Sequence, residues 1–148
     1  MEKDNYLHIR IGQHFIKGLL DTGSFYSLIS EKAVKRLRLT VLPSTPDENF
    51  ELFAAEGSNL RVIGSVELCM NISGLRIVHT VFVSDKLHSE QLILGRAFMT
   101  QNNVILNYVD GTATIYGNLL KVKLINNNRR SFWQKRPIHA ILSLTVKN

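Results

Sequence analysis

The sequence holds one cysteine, Cys69, so no internal disulfide is available, and a lone cysteine in a strand-like segment reads as a small buried hydrophobe. No apolar run approaches the ~18 residues of a membrane span, so no membrane partner is expected. The opening residues M-E-K-D-N-Y are polar and contain acids, unlike the apolar core of a secretion signal. One cysteine and no such signal give the expectation of a reducing, cytoplasmic setting. The histidines, at 8, 14, 79, 88 and 139, are scattered without metal-ligand spacing and read as surface or strand residues. No glycine-rich phosphate motif is present. Neither a metal nor a cofactor is expected.

Acid is also missing from one end. All 12 acidic residues lie between Glu2 and Asp110. Lys121, Lys123, Arg129, Arg130, Lys135, Arg136 and Lys147 supply seven of the 18 basic residues in a stretch with no acid. The net charge of +6 therefore belongs to a tail. The 148 residues read as one near-neutral domain over 1–120, large enough to bury a core unaided, and a basic extension over 121–148.

What fills the domain is mostly strand pattern. Y-L-H-I-R-I (6–11) alternates at period two, Gly12-Gln13 suits a tight turn, and F-I-K-G-L-L (15–20) returns beside it. F-Y-S-L-I (25–29) predicts another strand. Ser30 is placed to cap a short helix over E-K-A-V-K-R-L-R-L. Residues 41–49 contain two prolines and read as loop. The segment 50–72 predicts a long hairpin with Glu56-Gly57-Ser58-Asn59 at its tip, and L-R-I-V-H-T-V-F-V-S (75–84) a strand entered through Ser73-Gly74. Q-L-I-L-G (91–95) has the nearly unbroken apolar character of a strand buried on both faces. R-A-F-M-T-Q-N suits a brief helix, and V-I-L-N-Y and A-T-I-Y a final hairpin on an Asp-Gly turn. Residues 138–146 hold the pattern of one more strand.

One residue does not fit a core reading. In L-L-D-T-G-S-F-Y-S-L-I-S (19–30), Asp21 follows two leucines directly. A carboxylate in apolar surroundings is costly unless paired, protonated or employed. Gly23 allows close backbone approach and a tight exit from the strand. A carboxylate presented this way is half of an acid–base site. Two such groups at close range share one proton, because like charges there cannot both ionise. The ionised member takes a proton from water, and the protonated member donates to a substrate carbonyl oxygen. The chain has a single D-T-G, and Asp110-Gly111-Thr112 sits in a hairpin turn, so the partner of Asp21 would be Asp21 of a second copy.

L-L-D-T-G-S-F-Y-S-L-I-S-E-K-A-V-K-R-L, followed by L-I-L-G-R-A-F-M, resembles the retropepsin family, the aspartic proteases of retroviruses and gypsy-type retrotransposons. The continuation of D-T-G-S into a helix looks more like the retrotransposon members. The resemblance covers residues 6 to about 117. It implies an all-β, closed-barrel acid protease fold with one or two short helices. It also implies a homodimeric aspartic endopeptidase that processes a retroelement polyprotein, in the cell or inside virus-like particles. Carried over, Asp21 would be the catalytic aspartate. Thr22 would make interlocked hydrogen bonds between subunits, and Gly23 would permit close strand approach. Ser24 stands where retroviral members commonly have alanine, and its hydroxyl could reach the outer oxygen of Asp21. Ala55, Glu56, Gly57 and Ser58 would form the flap, with no tyrosine at its tip. Gly95 and Arg96 would support the site, Arg96 through a carboxylate pair. Leu20, Ile63, Ile93 and Leu94 would line the pocket for an extended peptide substrate held as an added strand. Asn107 carries no assigned role.

The tail has three readings: a linker toward a next polyprotein domain, a strand that knits the dimer, or a weak nucleic-acid contact through Arg129, Arg130, Lys135 and Arg136 beside Phe132-Trp133. The rival to a protease is a domesticated binding or assembly module that keeps the fold with weak or no proteolysis.

Overall fold

In a computed structural model the described residues are 5–44, 51–54, 59–87, 89–126 and 144–147, with side chains described except in 51–54, 59 and 144–147. β1 (Tyr6–Ile11) and β2 (His14–Leu20) form an antiparallel hairpin on a two-residue turn, with Gly12 at φ +62 in its first position. β3 (Leu28–Ser30) leads into α1 (Glu31–Arg36). β4 (Leu42–Pro43), β5 (Glu51–Ala54) and β6 (Asn59–Leu60) are short. β7 (Val62–Ile72) and β8 (Leu75–Ser84) form the longest hairpin, turning through Ser73 and Gly74, both at positive φ. β9 (Leu92–Leu94) precedes α2 (Arg96–Gln101), and β10 (Ile105–Asn107), β11 (Thr112–Ile115) and β12 (Leu120–Lys123) make a three-stranded sheet. β13 (Leu144–Lys147) pairs with β5.

The main sheet runs β1-β2-β9-β3-β8-β7-β4, and a β1–β7 pairing at Arg10 and Asn71 closes its first six strands into a barrel. The expected mostly-β closed barrel with one or two short helices is what forms, with two such helices among the described residues. Closure brings inward-facing Leu7, Ile9, Leu68, Met70, Ile77 and Val81 together, each no more than 2% exposed. A second, smaller cluster of Leu19, Leu28, Leu60, Leu87 and Ile93 lies around the end of β2. Leu60 thus ties the β5–β6 hairpin to the strand that carries Asp21.

Local chemistry explains the ends of both helices. Ser30 caps α1 as expected, its Oγ accepting from the Ala33 N–H at 3.2 Å. It also accepts from the Gln91 N–H at 3.0 Å, which pins the helix start to the chain entering β9. α1 stops at Arg36, short of the expected Leu39. Arg38 turns left-handed at φ +55, and Leu39 N–H returns to the Val34 carbonyl in a Schellman closure. Asn103, at φ +46, ends α2 the same way, with Val104 N–H on the Met99 carbonyl.

Three expectations are corrected. The strand predicted over 25–29 starts only at Leu28, because Phe25 to Ser27 are held in the loop that follows Asp21. The hairpin predicted over 50–72 is two units. β5 pairs with β6, whereas β7 pairs with β8 and with β4. Cys69 is exposed, since alternation along β7 turns Leu68 and Met70 inward and Cys69 outward, where it accepts from Arg76 Nε at 3.0 Å. β12 pairs with β11, and beyond it Ile125 bridges Tyr6 through two backbone hydrogen bonds. The flap residues Ala55, Glu56, Gly57 and Ser58, and the basic residues Arg129, Arg130, Lys135 and Arg136, lie outside the described residues. Among the described residues no helix is long and apolar enough to cross a membrane, and no group of three metal-ligating side chains occurs.

Candidate active site

β9 lies between β2, to which it is parallel, and β3, to which it is antiparallel. The loop joining β2 to β3 must therefore pass over the end of β9, and Asp21 is its first residue. The Asp21 N–H donates to the Leu94 carbonyl at 3.0 Å, so the carboxylate stands where β9 ends. The loop is then fastened to the start of α2. Arg96 N–H donates to the Ser24 carbonyl at 2.7 Å and Ala97 N–H to the Phe25 carbonyl at 2.9 Å. These two donors are free at any helix start, and here the loop carbonyls satisfy them in place of a side-chain cap. Gly95 makes the approach possible. A Cβ there would stand 2.5–2.7 Å from the carbonyl oxygens of Tyr26, Ser24 and Phe25.

One oxygen of Asp21, Oδ1, accepts from the Gly23 N–H at 2.9 Å. The other, Oδ2, is buried and has no hydrogen-bond partner. Burial pushes the carboxyl up to about 6, against the opposing pull of the Gly23 N–H and the Arg96 charge. A carboxyl with one unsatisfied oxygen and a pKa near 6 is poised to hold or accept a proton in mildly acidic water.

The other predicted residues fall around it in different roles. Thr22 is exposed, and its carbonyl accepts from Arg96 Nη1 at 2.9 Å. Arg96 therefore braces the loop through a backbone carbonyl rather than the expected carboxylate pair, and its guanidinium sits 5.6 Å from the Phe25 ring centroid. Ser24 does not reach Asp21. It is buried, and its hydroxyl donates to the Tyr26 carbonyl at 2.7 Å, locking the loop. Leu20, Ile93 and Leu94 are at most 1% exposed and belong to the core clusters. They form a floor beneath Asp21 and present no open wall, because the end of β2 (Gly18 to Leu20) and all of β9 are buried. Ile63 is half-buried and packs on the main core.

Three residues outside the motif complete the support. Ser27 Oγ accepts from the Gly95 N–H at 3.1 Å and lies 2.9 Å from His79 Nε2. His79 Nδ1 lies 3.0 Å from Gln101 Oε1. His79 is a buried residue of β8, a strand position as its scattered spacing allowed. Alternation along I-V-H-T-V already places it on the inward face with Ile77 and Val81. Its link to Ser27, 52 residues away, has no local signature. Asn107 takes up a role too, its Oδ1 accepting from the N–H groups of Val109 and Asp110 to shape the turn after β10.

With that geometry in hand, comparison with known proteins decides the family. The sequence pattern of the Ty3 transposon peptidases matches residues 1–130. The chain belongs to the Ty3 transposon peptidase family. Among solved structures it is similar to the retroviral protease-like domain of Ddi1 from Leishmania major, with TM-score 0.63, 18% identity, and coverage of 83% of this chain and 94% of that one. It is also similar to the EIAV protease complexed with the inhibitor HBY-793, with TM-score 0.53, 22% identity, and coverage of 68% and 89%. At these identities the two likenesses establish the retroviral protease-like fold. No curated protein matches by sequence. For a Ty3 transposon peptidase, the D-T-G loop over β9 is the candidate active site.

Proposed function

We propose that the chain is an aspartic endopeptidase that works as a homodimer and cuts a retroelement polyprotein. The observation that carries this reading is Asp21 itself: a carboxyl held at a glycine turn, its Oδ2 buried without a partner and its pKa raised to about 6. One such group cannot both activate water and protonate a carbonyl oxygen. Two copies on a two-fold axis could, and the first proton would then be shared between them. The ionised Asp21 takes a proton from water, the water oxygen bonds to the scissile carbonyl carbon, and the protonated Asp21 donates to the carbonyl oxygen. Collapse of the tetrahedral diol breaks the C–N bond: the Asp21 that took the water proton passes it to the leaving nitrogen, and the other Asp21 takes a proton from a diol hydroxyl, which restores the starting pair. Substrate would be an extended peptide paired along main chain, with the 55–58 segment above it as flap. The folded unit would run to about Ile125, with the basic tail as the linker.

The test is cleavage of a mixed peptide library at pH 4 to 7 by wild type and Asp21→Asn, over a range of protein concentrations. Cleavage by wild type alone, with specific activity rising with concentration, is the expected result. A folded, dimeric wild type that cuts nothing would refute it and favour a binding or assembly module.

A further inference from the structure

The loop that presents Asp21 is anchored on its outgoing leg by backbone hydrogen bonds with Leu94, Arg96 and Ala97, and by the Arg96 guanidinium on the Thr22 carbonyl. Its return leg is different. The Ser27 carbonyl accepts from the Phe82 N–H, and its hydroxyl enters a buried side-chain chain. With Gln101 Oε1 as acceptor, His79 must carry its proton on Nδ1, which leaves Nε2 with a lone pair. Ser27 then donates its single hydroxyl hydrogen to Nε2 and still accepts the Gly95 N–H. Each donor in this chain has one acceptor, and four elements of the site meet in it: the Asp21 loop, the β9–α2 junction, β8 and α2. The His79 ring is further fixed edge-on against Phe98, 5.2 Å between centroids.

Only the neutral imidazole completes this pattern. A protonated ring carries hydrogen on both nitrogens, so Nε2 turns from acceptor to donor and the Ser27 hydrogen loses its partner. Ser27 must rotate, and the Gly95 N–H it accepts is disturbed. Gly95 is the residue against which the carbonyls of Ser24, Phe25 and Tyr26 pack. Charged and titratable side chains on the surrounding elements are Arg96 at the exposed start of α2, Asp21 on the loop, Arg76 on β8, and Glu67 and Cys69, which flank Leu68 on β7 and face outward. Burial disfavours the imidazolium, and the Gln101 hydrogen bond opposes that only in part.

We propose that His79 is a positioning residue for Asp21: through Ser27 it holds the return leg of the loop while its imidazole is neutral, and protonation releases it. The consequence is an acid limit on activity that belongs to the scaffold and not to the two carboxyls. The proposal rests on the reading of Asp21 as the catalytic carboxyl, but its first test does not.

That test is amide hydrogen exchange at Gly95 followed by NMR between pH 7 and 4, expressed as a protection factor. In wild type, protection is expected to fall at least tenfold as the His79 ring signal titrates. In His79→Gln, whose amide oxygen can accept from Ser27 without titrating, the fall is expected to vanish. Unchanged Gly95 protection across the His79 titration, or an identical fall in His79→Gln, would overturn the proposal whether or not the chain cuts peptides. The second test is kcat and KM against pH. His79→Leu is expected to lower kcat at least tenfold with KM within threefold, and His79→Gln to recover part of that kcat and extend activity to lower pH. Equal kcat and identical acid limbs in wild type, His79→Leu and His79→Gln would also overturn it. Loss of peptide cleavage in wild type itself would refute the protease reading and leave the exchange result to decide the role of His79.

Discussion

Replacing Gly95 by alanine should be among the most damaging single-methyl changes in this protein. Gly95 has φ −93, a backbone any residue adopts, so no conformational penalty is involved. The damage is steric. The new Cβ would sit 2.5 Å from Tyr26 O, 2.6 Å from Ser24 O and 2.7 Å from Phe25 O, and backbone oxygens cannot swing aside as a side-chain tip can. Relief requires the loop to lift off α2, which breaks the Arg96 N–H to Ser24 and Ala97 N–H to Phe25 hydrogen bonds. Overpacking costs about 1–3 kcal/mol. Two buried backbone bonds lost add about 1–3 kcal/mol more. A total of roughly 2–6 kcal/mol is a large share of the ~5–15 kcal/mol that stabilises a typical domain. The assay is urea unfolding of wild type, Gly95→Ala and Gly12→Ala. Gly12 is the control, at φ +62 with nothing within 4 Å of its missing Cβ. It should lose only about 1–2 kcal/mol, for the left-handed backbone. A Gly95→Ala protein within 1 kcal/mol of wild type, or no worse than Gly12→Ala, would refute the claim that loop and helix are locked through this contact.

Other outcomes are expected from the same site. An acid whose folded pKa, about 6, lies above the ordinary 3.8 binds more protons folded than unfolded between those limits. Stability should therefore rise as pH falls from about 6 to about 4 relative to Asp21→Asn, by about 1–2 kcal/mol once solvent screening is allowed for, in paired urea titrations. His79 has the opposite sign, because its folded pKa lies below the ordinary 6.5. Its contribution is complete above pH 6.5 and lost as pH falls below it, so His79→Gln should flatten that part of the stability profile. Arg96→Gln removes a cation that holds the Asp21 carboxyl down, and a carbon-13 titration should place that carboxyl above its wild-type value. Ser30→Ala strips the acceptor from the buried N–H groups of Ala33 and Gln91, and should cost about 1–3 kcal/mol in chemical unfolding.

The sequence alone was enough for the strands with regular alternation, the Ser30 cap, the Ser73-Gly74 and Asp110-Gly111 turns, and the anomaly of an acid, Asp21, directly after two leucines. Each of these is written in neighbouring residues, because side-chain period, capping and turn chemistry act within a few positions of the chain. The D-T-G motif and L-I-L-G-R were likewise legible as local strings. What they do to one another was not. Tertiary structure decided that β9 slips between β2 and β3, so that loop carbonyls from Ser24 and Phe25 cap α2. It turned Arg96 toward the Thr22 carbonyl, spent the Ser24 hydroxyl on Tyr26, and sank Leu20, Ile93 and Leu94 into the core. It also joined Ser27 to His79 and Gln101 across the barrel. Hydrogen bonds between residues distant along the chain carry no periodicity, and a buried polar group finds whichever partner the closed barrel places beside it. The same carboxyl that reads as an anomaly in a string of leucines becomes a poised acid only because the fold buries one of its oxygens and leaves it unpaired.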